Sequence, residues 1–183
     1  FHVATVRERF ERTATGYRIL SESDPAGLLA VFVRTRVRVL SEGAVTAEGL
    51  KPARLDYGRL DDAGKNVSAR FDWKAGELTM HFDGRSETAP LPKDTQDRVS
   101  LMYQFMFVPA AQLGTLAFHM TNGRKVEAYR YKSAGVEPID TALGRINALH
   151  LVKQREDAAD NAVEVWLSPA HHHLPVRLRI VEN

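Results

Sequence analysis

The stretch VRTRVRVL, Val33 to Leu40, decides how this chain is read. Val33, Thr35, Val37 and Val39 fall on one side of a period of two, and Arg34, Arg36 and Arg38 fall on the other. That alternation is the mark of a half-buried β-strand. Three arginines on one face require that face to meet water or the carboxylates of neighbouring strands.

Outward from this strand the same reading repeats. Turn residues recur at Ser41–Gly43, Glu48–Gly49, Asp61–Gly64, Ala75–Gly76, Asp83–Gly84, Asn122–Gly123 and Gly144. Asp-Gly and Asn-Gly suit hairpin turns, whose central residues need positive φ. Strand candidates lie between them at Leu50–Arg59, Asn66–Trp73, Glu77–Phe82, Leu116–Met120, Lys125–Lys132, Ile146–Arg155, Ala162–Leu167 and Leu174–Val181. Upstream, Tyr17, Ile19 and Ser21 share a face, and Phe1 to Phe10 alternates weakly. Many strands joined by short turns predict a mainly β fold, an antiparallel sheet curved strongly into an open or half barrel.

Two segments read as helices. Asp24-Pro25 caps a short apolar stretch over Ala26–Phe32. The second begins at Asp94, with Asp97 three residues on as an acidic capping box, and runs from Thr95 to Val108 before Pro109. Val99, Met102, Tyr103 and Met106 keep helical spacing on one side; Leu101, Phe105 and Val108 keep it on another. A helix apolar on two sides belongs inside the molecule, so it is expected across the concave side of the sheet. No repeat, low-complexity tract or linker divides the chain, and residues 1–183 read as one domain.

Composition narrows the function. The 25 Lys and Arg stand against 23 Asp and Glu, and their signs alternate along the chain. No basic patch or tail marks a nucleic-acid surface. The absence of cysteine excludes disulfides and thiol chemistry. The longest apolar runs, AGLLAVFV and SLMYQFMFVPAA, are too short to span a bilayer as a helix. Serine-elbow, phosphate-loop and dinucleotide fingerprints are missing, and no cofactor is expected.

The run His171-His172-His173 invites a metal reading. Adjacent strand residues point to opposite faces, however, so three in a row converge poorly on one ion, and no metal site is expected. His81, His119 and His150 lie on separate strand candidates. Asp97, Ser100 and Tyr103 share one side of the second helix and are the candidates should the protein be an enzyme. A cap by Asp97 and one hydrogen bond from Tyr103 explain them as well, so no catalytic residues are assigned. The apolar and aromatic residues offer more. If the helix covers a cavity, Met102, Phe105 and Met106 face the curved sheet, with Tyr129, Tyr131 and Trp166 opposite as ligand-binding residues.

Several stretches carry a family resemblance. GYRILSESDPAGLLAVFVRTRVRVLSEGAVTAEGLKPARL, ARFDWKAGEL, PLPKDTQDRVSLMYQFMF, EAYRYKSAGVEPIDTALGRINALHLVKQRE and WLSPAHHHLPVRLRI follow one another in the order seen in a bacterial exported family, domain of unknown function 3108. The chain resembles that family over more than 150 residues, through "G-L-x-P", F-D-W, "D-x-x-S-x-x-Y" and "W-L-x-P…L-P-V-R" elements. Two departures stand out: an initial strand that usually precedes the position of Phe1 is missing or trimmed here, and the His run replaces a turn that is commonly acidic or contains Gly. The resemblance implies a periplasmic protein of a Gram-negative bacterium. It further implies a curved sheet with a helix across it, similar to periplasmic lipoprotein carriers.

Three readings follow. The first is a non-enzymatic module that binds a lipophilic or amphipathic small molecule between sheet and helix. The second is a cell-envelope module that binds a protein partner through Arg34, Arg36 and Arg38. An enzyme comes third.

Overall fold

The chain is described from a computed structural model over residues 4–25, 36–155, 157 and 160–181. The mainly β architecture is as the alternation predicts, but the strands divide between two sheets. The first holds seven strands in chain order: β1 (Ala4–Arg12), β2 (Tyr17–Pro25), β3 (Val37–Thr46), β4 (Gly49–Arg59), β5 (Val67–Asp72), β6 (Glu77–Phe82) and β7 (Arg85–Pro90). The second holds β8 (Thr95–Asp97), β9 (Thr115–Thr121), β10 (Val126–Thr141), β11 (Gly144–Lys153), β12 (Ala162–Ser168) and β13 (Leu174–Val181), again in chain order. Every pairing is antiparallel except β8 with β9. A parallel pair needs a crossover in place of a hairpin, and the helical segment supplies it.

That helix is shorter than its apolar periodicity suggests. Residues 95–97 are strand, α1 spans Ser100–Gln104, and a 3-10 turn continues it over Phe105–Phe107. The reciprocal cap is formed by Asp97 and Ser100, not by Asp94 and Asp97, and this moves the start towards the C-terminus. Asp97 Oδ1 accepts the N–H groups of Val99 and Ser100 at 2.9 and 2.8 Å, while Ser100 Oγ accepts the Asp97 N–H at 2.9 Å. The helix expected over Ala26–Phe32 lies outside the described residues.

The two apolar sides of the helical segment have separate destinations. Val99, Tyr103 and Phe107 pack on the inner face of the first sheet with Tyr17, Ile19, Leu55 and Met80. Leu101, Met102, Phe105 and Val108 pack on the second sheet with Phe118, Tyr131, Leu151 and Val165. The helix is therefore a wedge between two sheets. The face read from the sequence in β2 is buried as expected: Tyr17, Ile19 and Ser21 are all interior.

The outer face of the Arg-rich strand is settled by ion pairs. Arg36 meets Asp24 at 3.1 Å, Arg38 meets Glu22 at 3.7 Å, and Arg18 meets Glu42 at 3.4 Å. All are exposed or half-exposed, so each contributes about 0–1 kcal/mol and chiefly fixes strand register. Arg34 lies outside the described residues.

The turn between β3 and β4 clamps the wedge. Gln104 Oε1 accepts the Leu50 N–H at 2.8 Å, and its Nε2 donates to the Glu48 carbonyl at 2.9 Å. Gln96 Nε2 donates to the Leu50 carbonyl at 2.8 Å. Gly49 has φ +117°, and a Cβ there would stand 2.3 Å from Gln104 Oε1. Both the backbone and the space require glycine. Gly49→Ala is expected to cost at least ~2 kcal/mol, from the left-handed backbone and the displaced amide together. Urea denaturation of the two proteins checks it; a loss below about 0.5 kcal/mol would show that this clamp is not structural.

Candidate functional site

Three places bear on function: a buried polar node, the contact between helix and second sheet, and a groove between the two outermost strands.

The node is where the "D-x-x-S-x-x-Y" residues go. Ser41 Oγ, from β3, donates to Asp97 Oδ2 at 2.5 Å, and the Tyr17 hydroxyl, from β2, lies 3.0 Å from Ser41 Oγ. Asp97, Ser41 and Ser100 are wholly buried. Burial raises the Asp97 pKa against the lowering effect of its hydrogen bonds. Burial, and next the nearby Asp97 charge, push the Tyr17 hydroxyl up as well. Tyr103 takes a different course, and its hydroxyl donates to Glu8 Oε2 of β1 at 3.2 Å. Its pKa is pushed up to about 12, first by burial and then by Glu8. Asp97 and Ser100 thus face the interior, and neither has surface in contact with solvent. The arrangement caps a helix and joins two sheets.

The native fold holds the Asp97 proton more tightly than the unfolded chain does. This contribution to stability is complete below the unfolded carboxyl pKa of about 4 and is lost as pH rises through the raised native value. Asp97→Asn removes that acid-range slope, and Asp97→Ala, which strands two N–H groups and the Ser41 hydroxyl, costs about 3 kcal/mol or more. Stability measured by denaturant at several pH values from 3 to 8 checks both; an unchanged slope in Asp97→Asn would place the titration elsewhere.

Between helix and second sheet the expected ligand-binding residues meet only in part. Phe105 is fully buried and packs edge-on against Phe118 and Tyr131, with centroids 6.0 and 5.8 Å apart. Met102 and Tyr129 pack against the same cluster. Met106 instead reaches the surface. Trp166 lies on the opposite face of the sheet, because Val165 and Leu167 on either side of it point inward. There it stacks on His150 at 4.3 Å and donates to Glu137 Oε1 at 2.5 Å. Aromatic rings fill the space behind Phe105. The Tyr131 hydroxyl is buried there without a hydrogen-bond partner among the described residues. Tyr131→Phe is accordingly expected to be neutral or stabilising by up to about 1 kcal/mol. Thermal denaturation checks it, and a marked loss would show that the hydroxyl is needed.

The histidines go to separate places. His81 meets Ser86, His119 meets Asp94, and His150 lies between Glu137 and Glu164. In the triple run, His171 Nδ1 lies 2.7 Å from Ser168 Oγ, while His172 and His173 take left-handed φ of 55° and 61°. The turn keeps the backbone that Gly would favour, without Gly. Among the described residues no group of three His, Asp or Glu is placed to hold a metal.

The groove was not foreseen in the sequence. β1 and β13 each pair on one side only and are the outer strands of their sheets. Glu8 of β1 and Leu174 to Leu178 of β13 line a groove of about 390 Å3 with Met102 and Tyr103 as its floor. Phe10 stacks 5.0 Å from Tyr103 at its side. Leu178 and Ile180 oppose the interior residues Val165 and Val163, so they lie on the inner face of β13. Val6 and Phe10 share their face of β1 with Glu8. Met106 follows one turn after Met102 on the helix. These five apolar side chains, Val6, Phe10, Met106, Leu178 and Ile180, are 37–57% exposed. The sequence placed a strand at Leu174–Val181, but period two does not say how far its apolar face stays exposed; among the described residues Leu178 and Ile180 are about half-exposed.

Comparison with known proteins adds family and fold. The family model described as a protein of unknown function, DUF3108, matches residues 1–183. No curated protein matches the chain. A crystal structure of a β-barrel-like protein of domain of unknown function DUF1849 from Brucella abortus superposes with a TM-score of 0.60. It is 9% identical, with 97% of this chain and 81% of that chain covered. At that identity the likeness speaks to the fold alone.

Proposed function

Because the chain belongs to the DUF3108 family, a family of unknown function, we propose a role from its geometry: a non-enzymatic periplasmic module that holds an apolar or amphipathic ligand in the groove between β1 and β13. One observation carries this reading. Leu178, 48% exposed, lines that groove with Met102, Leu174 and Val176, and the exposed Phe10 stacks on Tyr103 in its lining. Exposed apolar side chains lining an open groove are what an apolar ligand would use.

The groove suits a single hydrocarbon chain. Its floor of Met102 and Tyr103 is adaptable on one side and flat on the other. Glu8, the Tyr103 hydroxyl and Arg177 give its edge polar groups for a head. The site differs from the one expected beneath the helix, where Phe105, Phe118 and Tyr131 occupy the space. The periplasmic location rests on the resemblance to an exported family; fractionation of the native cell tests it.

The protein-partner reading through the arginine face has less support, since Arg36 and Arg38 are engaged by Asp24 and Glu22. An enzyme has less still, since the D-x-x-S pair is sealed in the interior.

A fluorescent fatty acid such as parinaric acid is the probe. The wild-type protein is expected to bind it saturably, and Leu178→Asp to weaken binding tenfold or more. Leu178 is half-exposed, so the substitution should change stability by less than about 1 kcal/mol. Equal binding by the variant would remove the groove from consideration. Native mass spectrometry of protein taken from its own envelope should show a bound lipophilic mass.

A further inference from the structure

A second hollow differs from the groove in every chemical respect. It measures about 240 Å3 and draws its lining from five elements, with Val67 of β5 its one aliphatic member. Tyr57 and Arg59 come from β4, Lys65 from the 3-10 turn Ala63–Lys65, Arg98 from the turn before α1, and Asn122 and Arg124 from the turn between β9 and β10. Four of these residues are cations and no lining residue is acidic.

The nearby carboxylates approach from outside the lining. Asp61 is 3.7 Å from Arg59, Asp62 is 3.3 Å from Lys65, and Asp83 holds Arg124 through both terminal nitrogens, one at 3.0 Å. These pairs orient three of the cations. Arg98 has no carboxylate partner among the described residues. Its guanidinium lies 5.5 Å over the Tyr57 ring, and its backbone is fixed between the buried Asp97 and Val99. Asn122 adds a neutral donor: its Oδ1 accepts the N–H groups of Arg124 at 2.9 Å and Lys125 at 3.2 Å, which leaves its amide nitrogen free to donate.

Three carboxylates offset three of these charges from outside the hollow, so the charge left without a counter-ion among the described residues is that of Arg98. Arg98 presents a whole guanidinium fork, and Lys65, Arg124 and Asn122 keep N–H donors beyond those already engaged; donors from so many directions exceed what one planar carboxylate accepts, whereas a tetrahedral phosphate offers oxygens to all of them. We propose that this hollow binds a phosphate group, presented as a free phosphate ester or on a phospholipid head. The site stands apart from the apolar groove and does not depend on it.

The full chain is titrated with inorganic phosphate against chloride at equal ionic strength, by calorimetry and thermal shift. It is also sedimented with vesicles of phosphatidylglycerol or of phosphatidylcholine. Arg98→Gln is the diagnostic variant, since its side chain is exposed and carries no ion pair. Lys132→Gln, an exposed cation outside the hollow, is the control. Saturable phosphate binding that falls about tenfold in Arg98→Gln and not in Lys132→Gln is the expected result. Vesicle binding lost in Arg98→Gln identifies a lipid head as the source; phosphate binding without vesicle binding identifies a free ester. No saturable binding of either probe, or equal effects of the two variants, overturns the site.

Discussion

The hydrogen bond from Ser41 to Asp97 crosses from one sheet to the other, and the arrangement of the molecule depends on it. Ser41 belongs to the first sheet, and Asp97 begins the crossover of the second. The same carboxylate caps the helix that separates them. A buried acid is costly unless its lone pairs are satisfied, and here two backbone N–H groups and a hydroxyl satisfy them. One side chain therefore sets the position of the helix relative to both sheets. Gln96 and Gln104 then fasten the helix to the Glu48–Leu50 backbone on the side away from that carboxylate.

Strand alternation was legible in the sequence because it is local. Val37, Val39 and Ser41 face inward as period two demands, and Arg36 and Arg38 find carboxylates across the strand. The two apolar sides of the helix were equally legible, but what covers them was not. Leu101, Phe105 and Val108 could face a cavity or a second sheet with the same spacing, and only long-range packing decides between them. The start of the helix was misplaced for a similar reason. Asp94 and Asp97 have capping spacing, yet Thr95 to Asp97 earn more by pairing with β9 than by coiling. Trp166 was grouped with Tyr129 and Tyr131 by residue type; its parity along β12 sends it to the other face.

The two proposed sites arise from opposite kinds of incompleteness. At the groove, the outer strands of the two sheets leave apolar side chains exposed among the described residues. At the basic hollow, four cations are gathered while their carboxylate partners stay outside the lining. Other edges and faces are matched: the outer face of β2 and β3 is laddered with ion pairs, and β7 closes the far edge of its sheet with polar residues and Pro90.

Both sheets keep their strands in chain order, and that has a consequence for synthesis. Every contact within the first sheet can form from residues 4–90 alone, by closing one hairpin after another, which is a rapid route for a β protein. Its inner face is then covered, among the described residues, by Val99, Tyr103 and Phe107. A chain that has emerged as far as β7 thus has a finished first sheet whose apolar side still awaits the helix. The vulnerable moment in its synthesis falls between one sheet and the next.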